Sequence, residues 1–560
     1  MQGTRLRLLV FALALAGLFL LVNWSAYDGF FSGDDLDNMG NARLMKWRDI
    51  GRVLAETSLV HSSAFRAAGY SYYVLLTRWA DMNYWPYVAV IHAIHLLNVL
   101  LLWMLARALG ADVPGAVAAA ILYVFHAAAF DIYWKPMYIF DLLCGTLVLA
   151  ALLAYVRGWL IPSVIFFWVG LKSKESIIFL PVVIAAYEFF LGGRRWKRML
   201  PFLAVSFLFG LPALFANGHR DNTYTFRFTP AAVWQSATFY ARWLLLVPYA
   251  GFLVLLVPFL FKNRRVWFGV CTFLALLGPM LFLPGRLFAG YLYVPLLGLA
   301  IALSAINRPA WAAAFFLVWI PWNIFQFRQE RRDELIAAQD RRTWVTSVEK
   351  MFRVRPDVDT IVYDRAPTDL GSLGMAGLLA NYHPLRAAKA VWLGSPESST
   401  ALDHPHCTLV VWDPKTRRAA AVAHGPDVAY IRLAMDAPMW QLRRGWPGYS
   451  GSESRWMAPS ASARLYRPAG ARVFEVIIPV SQYYLSHMKM GRLEVRMNGV
   501  LLGSVALEKD EVLTARLPFP PGPEGSVEVE FDVQPPLKNP NGSGYLGQPI
   551  AAFGFPDQAK

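Results

Sequence analysis

The sequence predicts a polytopic α-helical membrane protein with a C-terminal soluble region, an α/β unit followed by a β-sandwich. Three observations predict it. The 560-residue chain is 56% hydrophobic with only 16% charged residues, against about 25% charged in an ordinary soluble domain. Apolar runs of bilayer-crossing length recur from residue 8 to residue 326, separated by short loops. Beyond residue 327 these runs stop, and charged helical sequence gives way to short strands. The chain also holds 21 Trp, as expected where rings sit at membrane interfaces.

The N-terminal MQGTRLRLLVFALALAGLFLLVNW begins like a signal peptide, but no A-x-A cleavage site follows the apolar run. It reads as a retained first span with Arg5 and Arg7 on the cytoplasmic side. The polar stretch that follows opens with DGFFSGDDLD, Asp28–Asp37. It continues through KWRDIGRVLAETSLVHSSAFRAAGYSYYVLLTRW, where helical spacing of apolar residues predicts amphipathic helices on the outer surface. Further spans are expected near 87–106, 114–130, 138–156, 159–171, 176–191, 200–216, 238–261, 266–284, 291–306 and 309–326. That makes about eleven spans in all.

Loop charge gives the orientation independently. Every second loop is short and basic: Arg107, Arg157, Arg194–Arg198, Lys262–Arg265 and Arg308. The positive-inside rule places these in the cytoplasm with the N-terminus. The opposite loops hold Asp34, Asp35, Lys135, Lys174–Glu175 and Arg286, and an odd number of spans puts the C-terminal region outside as well. The net charge of +15 is explained largely by those short loops, so nucleic acid is not an expected partner.

Three regions follow: 1–326, a transmembrane catalytic domain; 327–400, a helical linker and small α/β unit; and 401–560, a β-sandwich-like domain. In the last, RLEVRMNGVLLGSVAL reads as a hairpin turning at Asn498–Gly499. DHPHC (Asp403, His404, His406, Cys407) is a compact cluster, although Pro405 and its short spacing favour a loop over a metal site. Trp392, Trp412, Trp440, Trp446 and Trp456 are either core residues or sugar-stacking platforms. Asn23 and Asn541 begin N-x-S triplets of the kind that arise by chance.

The residues able to carry chemistry gather on the outer side. Asp34 and Asp35 are adjacent carboxylates, suited to a general base or a metal ligand. Lys174–Glu175 interrupts an apolar run, and Asp141 lies near the outer end of a span; charges at a membrane edge are costly and usually have a purpose. Arg286 is an outer-face cation beside two tyrosines, and an arginine fork can grip a phosphate through two oxygens. His92, His95 and Asn98 share one face of a span, and His126 is similarly placed; such groups are either ligands or hydrogen-bonding glue between helices. No Walker motif or strand-linked GxGxxG is present.

With these residues laid out, the membrane half resembles the GT-C superfamily of integral membrane glycosyltransferases, and within it the bacterial relatives of the TMTC/PMT-type O-mannosyltransferases. GDDLDN resembles the family's first outer-loop acidic pair. FRAAGYSYYVLLTRW resembles its YRPL-type segment, with Arg66 matching and the Pro missing. IHAIHLLNVLLLWML resembles its H-x-x-N helix at His95 and Asn98. HAAAFDIYWKPMYIFDLL resembles the segment from HP to R-A-D-L-L, matching His126 and Asp141; the Arg is absent, and Lys135 is the cation in that stretch. LKSKESIIFLP resembles the SKE motif at Lys174 and Glu175, and LFLPGRLFAGYLYVPLLG the ERYLYLPS segment, with Arg286 and Tyr291–Pro295 in place.

The resemblance covers about residues 1–325. It implies inverting transfer of a sugar from a polyprenyl-phosphate donor to a periplasmic or extracellular acceptor (a glycan, lipid or protein), in a cavity open to the outer face of a bacterial inner membrane. By that analogy one of the Asp pair is the base, Asp34 before Asp35. Arg66, Lys174, Arg286 and Tyr291 bind the donor phosphate, and Glu175, Asp141, His95, Asn98, His126 and Lys135 bind substrate or support the site. No cofactor is assigned; a divalent metal, Mg2+ or Mn2+, on Asp35 and Glu175 is the alternative way to neutralise phosphate. The chain lacks the TPR repeats of the TMTC proteins. Two other readings are a transporter or flippase of lipid-linked glycans and a membrane-anchored glycan-binding assembly protein.

Overall fold

The computed structural model describes residues 2–56, 66–216, 223–306, 308–367, 370, 372–382, 388–422, 424–434, 439–450, 453–539 and 544–556. Asn541 and the loop segments 57–65 and 217–222 lie outside the described residues, as do the side chains of Arg5 and Arg7. Contacts divide the chain into two units, Met1–Gln339 and Asp340–Lys560.

The first unit is helical. Its helices are α1 (Gln2–Val22), α2 (Gly33–Leu44), α3 (Trp47–Ala55), α4 (Ala67–Trp79), α5 (Tyr84–Ala108), α6 (Val113–Phe125), α7 (Phe130–Trp134) and α8 (Ile139–Val156). They continue with α9 (Leu160–Leu171), α10 (Leu180–Phe190), α11 (Leu200–Ala216), α12 (Pro230–Leu245), α13 (Val257–Phe261), α14 (Arg264–Leu281), α15 (Leu296–Ser304) and α16 (Pro309–Val354). Helix α5 packs on α6 and α8, α15 on α6 and α14, and α10 on α14. Glycines allow the α14–α15 approach: a Cβ on Gly269 would lie 2.6 Å from the Gly298 carbonyl and 2.5 Å from the Ala302 nitrogen.

Among the described residues, four helices are long and apolar enough to cross a membrane: Tyr84–Ala108, Pro136–Val156, Arg264–Leu281 and Pro309–Val354. Counting two bent pairs as single spans gives six, and Leu8–Val22 and Leu160–Leu171 are shorter apolar helices. The expected count of about eleven is therefore not reached by length and composition. The apolar runs are broken locally. Run 238–261 bends by 88°, because Leu246 and Tyr249, flanking Pro248, take left-handed backbone. Run 176–191 starts with a 3-10 turn at Glu175–Phe179. Run 291–306 keeps only nine residues of α-helix after Pro295, about 14 Å against the roughly 30 Å of a hydrocarbon core. Helix α4 is also not a surface helix: Tyr70, Tyr72, Tyr73 and Val74 are buried, and it packs on α2 and α8.

Three of the five short basic loops are tied together by hydrogen bonds. Arg265 donates to the Gly110 carbonyl at 2.5 Å and Asn263 to that of Ala305 at 3.0 Å. Three loops expected on the N-terminal side thus meet at one end.

The second unit has strands β1 (Thr360–Asp364), β2 (Lys389–Trp392), β3 (Cys407–Asp413), β4 (Arg418–Val422), β5 (Tyr430–Arg432), β6 (Gly448–Ser450), β7 (Ser454–Trp456), β8 (Ser460–Arg467) and β9 (Val473–Pro479). Then come β10 (Gly491–Met497), β11 (Val500–Leu507), β12 (Val512–Pro518), β13 (Gly525–Gln534), β14 (Leu537–Lys538), β15 (Tyr545–Leu546), β16 (Pro549–Ile550) and β17 (Ala552–Gly554). One sheet runs β2-β1-β3-β4, with β1 parallel to both neighbours. Two four-stranded sheets, β11-β10-β13-β8 and β12-β9-β17-β5, supply the sandwich. So β3 and β4 belong to the α/β sheet, and the sandwich begins at Tyr430.

One buried core runs from Val362 and Leu409 in the first sheet to Trp446, Phe531 and Phe553 in the sandwich. The expected hairpin is present, with Met497 opposite Val500 and both Asn498 and Gly499 at positive φ, the geometry an Asn-Gly turn favours. Trp412 and Trp446 are buried core. His404 pairs with Asp359 at 3.1 Å and Asp403 with Arg443. No group of three or more metal-ligating side chains converges among the described residues.

Candidate active site

The chemistry converges on one cleft of about 460 Å³ in the first unit, lined by Asp34, Arg66, Asp141, Lys174, Arg286 and Tyr291 among others. These six come from five separate segments, all expected on the outer side.

The sequence SGDD sets the acidic edge. Ser32 is the N-cap of α2, and its hydroxyl accepts from the Asp35 nitrogen while the Asp35 carboxylate accepts from the Ser32 nitrogen, a reciprocal capping box. That arrangement turns Asp35 inward. Its carboxylate accepts from Ser32 N at 2.9 Å, Ser32 Oγ at 2.8 Å and the Tyr73 hydroxyl at 2.9 Å, and it is fully buried. Asp34, one residue earlier, is exposed to the cleft, and its carboxylate forms no hydrogen bond or ion pair among the described residues. Asp35, expected beside Asp34 as a candidate base, does not line the cleft; it holds the turn that presents Asp34. Asp35→Ala is expected to destabilise the first unit by about 2 kcal/mol or more, since the cap is lost and the Tyr73 hydroxyl is left buried without its acceptor. Thermal melting of the purified chain checks this.

Asp37 and Asn38 lie three and four residues after Asp34, on the same helix face, and also line the cleft. Burial and the neighbouring Asp34 charge push the Asp37 carboxyl above the usual carboxylate range. Asp37 is not among the expected site residues, although the spacing within DDLD carries the signal.

The cationic part is held by cross-links between segments. The Ala68 nitrogen donates to the Lys172 carbonyl at 3.0 Å, and the Ser173 hydroxyl to the Phe140 carbonyl at 2.7 Å. These bonds bring Arg66, Asp141 and Lys174 together. Lys174 pairs with Asp141, and its ammonium lies 4.6 Å from the Tyr291 ring centroid. Arg66 pairs with Glu175 at 2.8 Å and sits over the Phe140 ring. Burial works to raise the Glu175 carboxyl, but the Arg66 and Lys174 charges outweigh it and hold the group below its ordinary value. Arg286 donates to the Tyr291 hydroxyl at 2.6 Å and stacks 4.2 Å from the Tyr224 ring centroid. Among the described residues Arg286 forms no ion pair. Among the described residues the cleft thus holds two ion-paired cations, Lys174 and Arg66, one arginine without an ion pair, Arg286, and two carboxylates without one, Asp34 and Asp37.

The remaining expected residues lie elsewhere. His95 bonds the Tyr293 hydroxyl at 2.9 Å and the Val124 carbonyl at 3.2 Å. Asn98 donates to that same hydroxyl and to the Leu142 carbonyl. Both are buried and join α5 to its neighbours. His126 bonds the Leu244 carbonyl and accepts from the Ala128 nitrogen, fixing the bend after α6. Lys135 bridges Asp131 and Glu334 at 2.8 and 2.7 Å. None of the four lines the cleft; of the expected substrate-binding or supporting roles, their bonds between helices fit the supporting one, and the Asn98 Oδ1 is buried without a hydrogen-bond partner. Asn23 is likewise buried, bonded to the Phe19 carbonyl and the Trp134 indole.

A metal on Asp35 and Glu175 does not fit. Asp35 spends its oxygens on Ser32 and Tyr73, and Glu175 is engaged by Arg66.

No protein-family model matches the chain, and no curated protein matches it. Among solved structures the chain is similar to the arabinosyltransferase EmbB from Mycobacterium smegmatis at 12% identity and a TM-score of 0.34. That match covers 97% of this chain and 64% of EmbB, so the chain spans less than two thirds of the other's length.

Proposed function

We propose that the protein is a membrane glycosyltransferase of the GT-C type, moving a sugar from a polyprenyl-phosphate donor to a hydroxyl of a periplasmic glycan, lipid or protein. The observation that carries this reading is the pairing, in one cleft, of an unpaired carboxylate, Asp34, with an ion-pair-free arginine, Arg286. In the reaction, Asp34 takes the proton of the acceptor hydroxyl as its oxygen forms a bond to the anomeric carbon. The bond from that carbon to the donor's phosphate oxygen breaks, and the sugar inverts. Polyprenyl phosphate leaves with the electron pair, its growing charge met by Arg286, with Lys174 and Arg66 beside it. The order of motifs along residues 1–325 supports the same class. The convergence of the charged loops at one end of the helices supports a cleft on the outer face of a bacterial inner membrane, and a flippase would instead favour charges deep within several spans.

The test is transfer by the purified full chain in liposomes supplied with polyprenyl-phosphate sugars and cell-envelope acceptors, read by mass spectrometry. Arg286→Ala is expected to weaken productive use of the donor by about 10- to 100-fold, a loss of about 1.5–3 kcal/mol for one charge-assisted contact. Unchanged donor kinetics in that variant would remove Arg286 from the phosphate site.

A further inference from the structure

A second cleft, of about 740 Å³, lies among the basic loops, and Glu188, Arg194, Lys262, Arg264, Phe259 and Trp267 line it. Five nearby cations divide into two groups. Arg195 is used internally, bonding the Gly192 carbonyl at 3.1 Å through its side chain and Glu188 at 2.7 Å through its nitrogen. Arg265 is used internally on Gly110. Arg194, Lys262 and Arg264 are exposed and form no ion pair among the described residues.

The cleft is built, and its cations do not merely trail from a loop. Glu188 is fully buried and also accepts from the Tyr155 hydroxyl at 2.9 Å, and its carbonyl accepts from the Arg194 nitrogen. These bonds fold the 192–195 turn back on α10. Arg194 (φ 64°) and Lys262 (φ 46°) both hold left-handed backbone, a conformation that non-glycine residues keep only where surrounding structure imposes it. Rings flank the charges: Phe259 meets Trp267 edge-on at 4.8 Å, and Phe190 stacks on Trp267 at 6.2 Å. Phe189 and Phe259 are exposed. Unpaired cations beside exposed aromatic surface at the end of apolar helices match a phosphate that carries hydrocarbon chains.

We infer that this cleft holds the phosphate of an anionic membrane lipid, with its acyl chains along Phe189, Phe259 and Trp267. The inference rests on the membrane reading of the first unit and is independent of glycosyl transfer.

The experiment uses the full chain in detergent, titrated separately with phosphatidylglycerol, phosphatidylcholine and inorganic phosphate. Thermal melting and native mass spectrometry are the readouts. Phosphatidylglycerol is expected to bind and raise the melting temperature, and phosphatidylcholine to do neither. The triple variant Arg194→Gln/Lys262→Gln/Arg264→Gln should bind phosphatidylglycerol at least tenfold more weakly. A control, Arg157→Gln/Arg308→Gln, removes basic-loop charge outside the cleft and should bind like the wild type. Equal binding by wild type and triple variant, or an equal loss in the control, overturns the inference. A shift with inorganic phosphate as large as that with the lipid also overturns it, by assigning the site to a free phosphate.

Discussion

Asp34→Asn is expected to lower sugar transfer by about 10²- to 10⁴-fold while leaving the protein folded, the range lost when a positioned general base is removed. The asparagine keeps the shape and loses the ability to take a proton. No hydrogen bond or ion pair among the described residues depends on the charge, because the Asp34 carboxylate is exposed and forms none. The measurement compares envelope glycans and glycoproteins by mass spectrometry from cells carrying each form, with membrane level and melting temperature as controls. Loss of one sugar mass at unchanged melting temperature supports the assignment and names the sugar and acceptor class. Unchanged transfer would take the base role from Asp34. Asp35→Asn should show the opposite balance, a lower melting temperature with residual transfer in the folded fraction, since Asp35 accepts from Ser32 and Tyr73 in the interior.

Arg455→Met is expected to destabilise the second unit by about 3–5 kcal/mol, the cost of leaving one member of a buried ion pair uncompensated. Arg455 donates to both oxygens of Asp364 at 2.8 and 2.7 Å, and to the Trp446 carbonyl. The two side chains are 0% and 1% exposed. The pair joins the end of β1 to β7, linking the parallel sheet to the small β16-β7-β6 sheet of the same unit. Arg365, 3.5 Å from Asp364, is too poorly placed to replace a two-pronged partner. The double change Asp364→Leu/Arg455→Met should recover much of the loss, because neither charge then remains buried alone. Tryptophan fluorescence during unfolding of the full chain reads the effect, as Trp446 is fully buried beside the pair. A single-variant cost under about 1 kcal/mol would mean that Asp364 finds water or another partner.

How much of this was legible beforehand depends on the range of the interaction. Local chemistry read well. The S-G-D-D start of α2 and the Asn498–Gly499 turn are set by residues within four positions of each other. Three of the five short basic loops do meet at one end of the helices. The six lining residues named from the sequence, from Asp34 to Tyr291, do share one cleft. Six others did not join them, Asp35 and Glu175 among them. His95, Asn98, His126 and Lys135 are polar groups inside apolar sequence, and a sequence cannot distinguish a ligand from a group bonded to the next helix. Asp37 joins the cleft because it lies three residues after Asp34 on one helix face.

The sequence by itself determined the class of protein: the apolar excess demands burial in lipid or helix, and the short basic loops set the order in which segments turn. Only the tertiary structure decided which aspartate of the adjacent pair lines the cleft. Adjacent residues on a helix point about 100° apart, so once Ser32 and Tyr73 draw Asp35 inward, Asp34 must face out. It also decided which cations are free. Lys174 and Arg66 are matched by carboxylates 33 and 109 residues away, and Arg455 by one 91 residues away. Such pairings depend on packing across the fold, which residue order does not encode locally, and they leave Arg286 as the arginine in the cleft without an ion pair among the described residues.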